Sequence, residues 1–148
     1  MKSKQILEKA KLTKKLYKLN DQSSEWLTEL EFMQDEQKFL EHLLSSHFLD
    51  LSTEKYYGET NKLISKLKDV ENMGNSIFDT IQIHNKHLAT LIESSLLKGK
   101  KEFKKEHKEI EIDFETYVLK FKYVKKKIFG IIKDIMKVQK QKLLIKEN

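Results

Sequence analysis

Apolar residues recur at alternating steps of four and three through almost the whole of this chain. That periodicity limits its fold more than any other feature. One stripe runs from Phe103 through His107, Ile110, Phe114, Tyr117, Phe121, Val124, Ile128, Ile131, Ile135 and Val138. A mean spacing of about 3.5 residues keeps one side of an α-helix turned toward a partner, as in coiled coils. A second stripe joins Tyr56, Thr60, Leu63, Leu67, Val70, Gly74, Ile77, Ile81, His84, Leu88, Leu91 and Ser95. The earliest joins Leu12, Leu16, Leu19, Ser23, Trp26, Leu30, Met33, Gln37, Leu40, Leu44, His47 and Leu51. No proline occurs anywhere to interrupt them.

Three stripes predict three helices, over about residues 3–51, 53–98 and 100–146, each roughly 70 Å long at the rise of an α-helix. Ser52, Thr53 and Glu54 supply an N-cap for the second, and Lys98 followed by Gly99 supplies its end. Matched lengths and short connections require neighbours to run antiparallel. The expected fold is therefore all-α: an elongated, single-domain, up-down-up three-helix bundle over residues 1–148 with coiled-coil packing. Apolar residues beside the stripes (Phe32, Phe39, Leu43, Ile64, Phe78, Ile92, Phe129 and Ile132) are expected to widen the buried face for two neighbours. The alternative is a bundle of four or five shorter segments, broken at Asn20-Asp21-Gln22-Ser23-Ser24 and at Asn72-Met73-Gly74-Asn75-Ser76. Both runs have poor helix propensity, and Ser76 with Asp79 imitates a capping box. Because the phase of the stripe passes through both without a slip, continuity is favoured.

Several function classes find no support. No apolar run is long enough to cross a membrane. Ile6 and Leu7 are followed at once by Glu8 and Lys9, so no signal-peptide core is present, and a cytoplasmic protein is expected. With no cysteine there is no disulfide, thiolate metal site or thiol nucleophile. A carboxylate-bridged metal centre in a helical bundle needs Glu-x-x-His pairs facing inward, but no histidine here has an acid three residues before it. There is no glycine-rich phosphate loop and no Gly-x-Ser-x-Gly elbow. Neither an enzyme nor a cofactor is expected.

His84 and His87, three apart on one helix, have a spacing that can hold a metal, with Asn20 or Asp21 at the height of a third ligand. The plainer expectation is that His84 packs against Phe114 and bonds a neighbour, while His87 is exposed and His107 is a peripheral core residue.

Charge is unevenly spread. Residues 1–18 hold seven lysines against Glu8, residues 19–71 hold twelve acids against five lysines, and residues 120–148 hold ten lysines against two acids. All 29 basic residues are lysine. Arginine is the side chain that grips phosphate or guanine with two parallel bonds, so its absence counts against sequence-specific recognition. In the expected bundle the first and third helices are offset by about 94 residues. That sets Glu25, Glu29, Asp35, Glu36 and Glu41 opposite Lys120 to Lys137 as internal complements.

No such complement serves the other end. There Lys11, Lys14, Lys15 and Lys18 meet Lys98, Lys101, Lys104 and Lys105, a candidate basic interaction surface for an anionic partner. The pattern points first to an interaction or scaffold module that binds another protein, and self-association into a homo-oligomer is open to it. The alternatives are nucleic acid docked on the lysine-rich end without sequence readout, and membrane lipid held by residues 1–19 through Ile6, Leu7, Leu12, Leu16 and Leu19. No interleaved exposed aromatics are expected at that end, so stacking on single strands is not.

Overall fold

A computed structural model describes residues 2–93 and 99–147. The described residues form four packed α-helices and no strand: α1 (Lys2–Ser46), α2 (Phe48–Leu51), α3 (Glu54–Glu93) and α4 (Lys100–Glu147). The expected end of the second helix, with Ser95 and Lys98, lies outside the described residues. By internal packing the chain divides into two compact units, one made of Met1–Phe32 with Gly74–Thr116 and the other of Met33–Met73 with Tyr117–Asn148.

The stripes are what these helices bury. Every described stripe position is buried or half-buried except Val138. The first unit packs Leu12 and Leu16 against Leu88, Leu91 and Phe103, with Leu19 partly covered at the edge. The second buries Leu40, Leu44, Leu51, Leu63, Leu67, Phe121, Val124, Ile128 and Ile135. Each such side chain removed from water contributes about 1.5–3 kcal/mol before entropy is counted, which is why poor local propensity can be overridden.

Residues 20–24 show how this happens. Ser23, wholly buried, shares its single hydroxyl proton among the carbonyls of Leu19 and Asn20 and the Asn85 side-chain oxygen of α3, 3.0 Å away. A hydroxyl that could have nucleated a helix start is thus satisfied inside the helix and by a neighbour. Helix α3 likewise runs through residues 72–76 without a break, and Gly74 is buried there.

Three expectations need correction. The first helix ends at Ser46 rather than near residue 51, because His47 leaves helical geometry (φ −108°, ψ 20°) and a separate turn, α2, follows. The N-cap is also different. Ser52 and Thr53 donate their hydroxyls backward to the carbonyls of Phe48 and Asp50, so they close the end of α2 instead of covering the N–H groups of α3.

Third, the residues beside the stripes do not all widen the core. Ile132 is buried and Leu43 and Phe78 are half-buried, but Phe32, Phe39, Ile64, Ile92 and Phe129 are exposed. A stripe as narrow as a coiled-coil seam covers the interior by itself, and its flanks face water. Gly99, directly before α4, holds φ at +94°, a conformation that L side chains adopt only with strain, and its carbonyl accepts the first bond of α4 from Phe103.

Two substitutions test this core. Phe121→Ala should lower unfolding free energy by about 3–5 kcal/mol, because Phe121 is almost wholly buried and its removal leaves a cavity. Thr60→Val should be neutral or stabilising in the same denaturant titration. The Thr60 hydroxyl is buried without a hydrogen-bond partner, and the isosteric methyl carries no desolvation cost.

Candidate functional site

Two groups of polar side chains in the first unit stand out, one buried and one on the surface. The buried group is a hydrogen-bonded chain that links α1, α4 and α3. His107 of α4 lies 2.7 Å through Nε2 from the Gln22 Oε1 of α1, and 3.0 Å through Nδ1 from His84 Nε2 of α3. His84 Nδ1 in turn faces Glu106 Oε1 at 2.5 Å, and His87 Nδ1 lies 2.9 Å from the same oxygen and 3.1 Å from Oε2. Aromatic rings hold both buried imidazoles in place: Trp26 stacks on His107 at 4.7 Å and Phe103 on His84 at 4.2 Å.

Donor and acceptor rules fix one proton of this chain. A carboxylate only accepts, so His84 Nδ1 donates to Glu106. The His84 Nε2–His107 Nδ1 and His107 Nε2–Gln22 bonds then carry one proton each, in a direction set by the tautomers of the two rings. Burial, and after it the charge of His84, holds His107 down to about 4. The His107 ring is therefore neutral.

Burial alone would raise the pKa of Glu106. Hydrogen bonds from His84 and His87, together with the charges of those rings, outweigh it and hold the carboxyl below its ordinary value.

This arrangement differs from the expected one. His84 packs on Phe103, and it is Trp26 that approaches Phe114, at 5.9 Å. The partner from another helix is Glu106 of α4, and neither Asn20 nor Asp21 takes that place. Among the described residues, no group of three or more His, Asp or Glu side chains is arranged to hold a metal ion. What the chain does is fasten α1, α3 and α4 to one another through hydrogen bonds.

The surface group is the lysine cluster. Lys11, Lys14, Lys15 and Lys18 are exposed on α1, Lys101 and Lys105 are exposed on α4, and Lys104 is half-buried. Lys98 falls outside the described residues. Burial lowers the pKa of Lys104, and the charges of Lys100 and Lys15 lower it further, so lysines of α1 and α4 are brought within electrostatic reach of one another. None of these lysines forms an ion pair among the described residues.

Sequence reasoning overlooked Tyr17, which stands between Lys14 and Lys18 with 53% of its surface exposed. Its position outside the stripe was the available signal. Leu12 and Leu16, in contrast, are committed to the interior, and Ile6 and Leu7 are exposed.

Elsewhere the expected complement of acids and lysines is sparse. In the second unit Glu36 pairs with Lys125 at 2.6 Å, but Glu25, Glu29, Asp35 and Glu41 form no ion pair among the described residues. No helix of the described residues is long and apolar enough to cross a membrane. No protein-family model, curated protein or solved structure matches this chain.

The buried relay predicts a pH dependence with a definite sign. His107 is harder to protonate when folded than at its ordinary value of 6.5, so between about 6.5 and about 4 the unfolded chain binds the additional proton. Stability should fall as pH is lowered through that window. Glu106, held below its ordinary value, adds a loss in the same direction at more acid pH. Melting temperatures measured from pH 7 to 4 should decline, and His107→Leu should flatten the slope above pH 4.5 even if it lowers stability throughout. An unchanged slope in that variant would remove His107 from the account.

Proposed function

We propose that this protein is a non-enzymatic helical-bundle module that binds another protein, and that it does so through a surface of the second unit centred on Phe39 and Phe129. One observation carries this reading. The two rings lie 6.5 Å apart on α1 and α4, and they remain 51% and 40% exposed. Half-buried Leu43, one turn beyond Phe39, and exposed Met136, two turns beyond Phe129, extend the apolar strip on the same helix faces. The Glu36–Lys125 ion pair borders it. Aromatic anchors with methionine beside them and charge at the edge are the composition of a protein interface, and the exposed part of each ring is apolar surface that a partner could cover.

The same proposal assigns up-down-up topology and coiled-coil packing to each unit. Supporting it in the second unit are Glu36–Lys125 and Asp50–Gln139, two hydrogen-bonded pairs whose members are both 89 residues apart, as parallel helices require. In the first unit, Ser23 meets Asn85 while Leu12 and Leu16 cluster with Leu88 and Leu91, so α3 descends as α1 rises. A non-enzymatic role fits the engagement of the Glu106 carboxylate by both His84 and His87, which occupies it within the fold. Membrane attachment through residues 1–19 would have to pull Leu12 and Leu16 out of their cluster, which disfavours it.

The test is the double variant Phe39→Ser, Phe129→Ser. Circular dichroism should show the same helix content, with a lowered melting temperature because both rings are partly buried and touch each other. Affinity purification from native cells should recover a saturable protein partner with the wild type and lose it with the variant. Equal recovery by both proteins would reject this surface, and a concentration-dependent dimer abolished by the variant would identify the partner as a second copy.

A further inference from the structure

We infer that the first unit carries a second interaction surface, formed by Lys11, Lys15 and Lys18 of α1 with Lys101, Lys104 and Lys105 of α4, and that its partner is single-stranded nucleic acid gripped by its phosphates with a base stacked on Tyr17. The surface is independent of the Phe39–Phe129 strip of the other unit.

Geometry gives the first argument. Lys11, Lys15 and Lys18 follow one another at steps of four and three, so they share a face of α1 with a charge every turn, roughly 5–6 Å along the axis. Lys101 and Lys105 repeat that step on α4, whose Phe103 packs in one cluster with Leu12 and Leu16 of α1 and so brings the two rows to the same level, with Lys104 within electrostatic reach of Lys15. The two rows therefore act on one region of space.

The second argument is the missing counter-charge. Between residues 99 and 109 five lysines stand against Glu102, Glu106 and Glu109, and Glu106 is occupied by His84 and His87. Residues 2–18 add seven lysines against Glu8 alone. Like charges held together without ion pairs destabilise the fold that holds them, and a polyanion relieves that repulsion.

Chemistry selects among polyanions. Leu12 and Leu16 are buried, so between Lys11 and Lys18 this helix offers one exposed ring, Tyr17, and no aliphatic anchor. Tyr17 is a turn from Lys14, which lies between the ring and Lys18 around the exposed side of α1, and Phe103, the other aromatic in these two segments, is buried. A nucleic-acid strand offers repeated phosphates and an unpaired π face together, and electrostatic tracks that carry stacking rings hold single strands without choosing a sequence. The absence of arginine fits this, since two-bond reading of base edges is not required.

The experiment measures the fluorescence anisotropy of a labelled oligothymidylate, and of a duplex of equal length, against the full chain over a salt series. The wild type should bind the single strand at low salt and prefer it to the duplex. Changing the six lysines to glutamine should weaken binding roughly ten-fold or more, and should make the slope of log K against log salt shallower by roughly 0.7 for each phosphate no longer neutralised. Tyr17→Ser should weaken single-strand binding roughly five-fold or more while leaving the salt slope unchanged.

Circular dichroism should be the same for all three proteins, because these side chains reach solvent. No binding at low salt, binding unaffected by the lysine changes, or equal duplex affinity with no effect of Tyr17→Ser would overturn the proposal. So would attachment to phosphatidylcholine–phosphatidylserine vesicles, without oligonucleotide binding, that is abolished on changing Ile6 and Leu7 to serine.

Discussion

A narrow apolar stripe can be kept from water only by another stripe, and the rest of the structure depends on that constraint. Each helix presents about one buried residue per turn, too little to form an interior alone and enough to line one when several helices pack. Long helices follow, because shortening any of them would expose the stripes facing it. The same constraint explains why Asn20 to Ser24, poor helix formers, remain helical. Breaking α1 there would withdraw Leu12 and Leu16 from Leu88, Leu91 and Phe103, at a cost above the few tenths of a kcal/mol by which each residue disfavours the helix.

Polar residues on the stripe turn that constraint into a specific solution. Ser23, Gln37, Thr60, His84 and His107 are all buried. A buried polar group needs its bonds made, and each bond can be made in only one register of one helix against another. Gln22, His107, His84 and Glu106 form a chain whose members sit on three helices, so a shift of α4 by one turn would leave two buried imidazoles without their partners. Apolar packing tolerates such slips far better. Thr60, whose hydroxyl has no partner, marks the opposite case, a polar residue carried on the seam without an equivalent bond.

Because the seams are narrow, much apolar surface is left outside them. Phe39 and Phe129 in one unit are the plainest instance, and Tyr17 in the other is set among lysines instead of aliphatic neighbours. The two settings differ in chemistry as they do in place. Aromatic beside aromatic suits a dry protein contact, and aromatic beside lysine suits a stacked base with its phosphate. A chain of this kind can carry separate interaction surfaces because its interior uses so little of each helix.

The sequence by itself determined the helices and nearly all of what they bury. Period and phase are local properties, and residues from Leu12 to Ile135 declared their inward side through spacing alone. Partnership was not legible. That His84 is held by Glu106 and His107, that Gln22 and not Asp21 completes the chain, and that Lys15 lies near Lys104 depend on the relative height of helices, which spacing within one helix does not carry.

Nor could spacing say that Ile132 would be buried and Phe129 left exposed. Both flank the same stripe, and the difference is which neighbouring helix covers which side. A helix fixes its own faces through bonds four residues apart. What lies against each face is fixed by contacts between residues about 20 to 90 positions apart, and only the tertiary structure sets those.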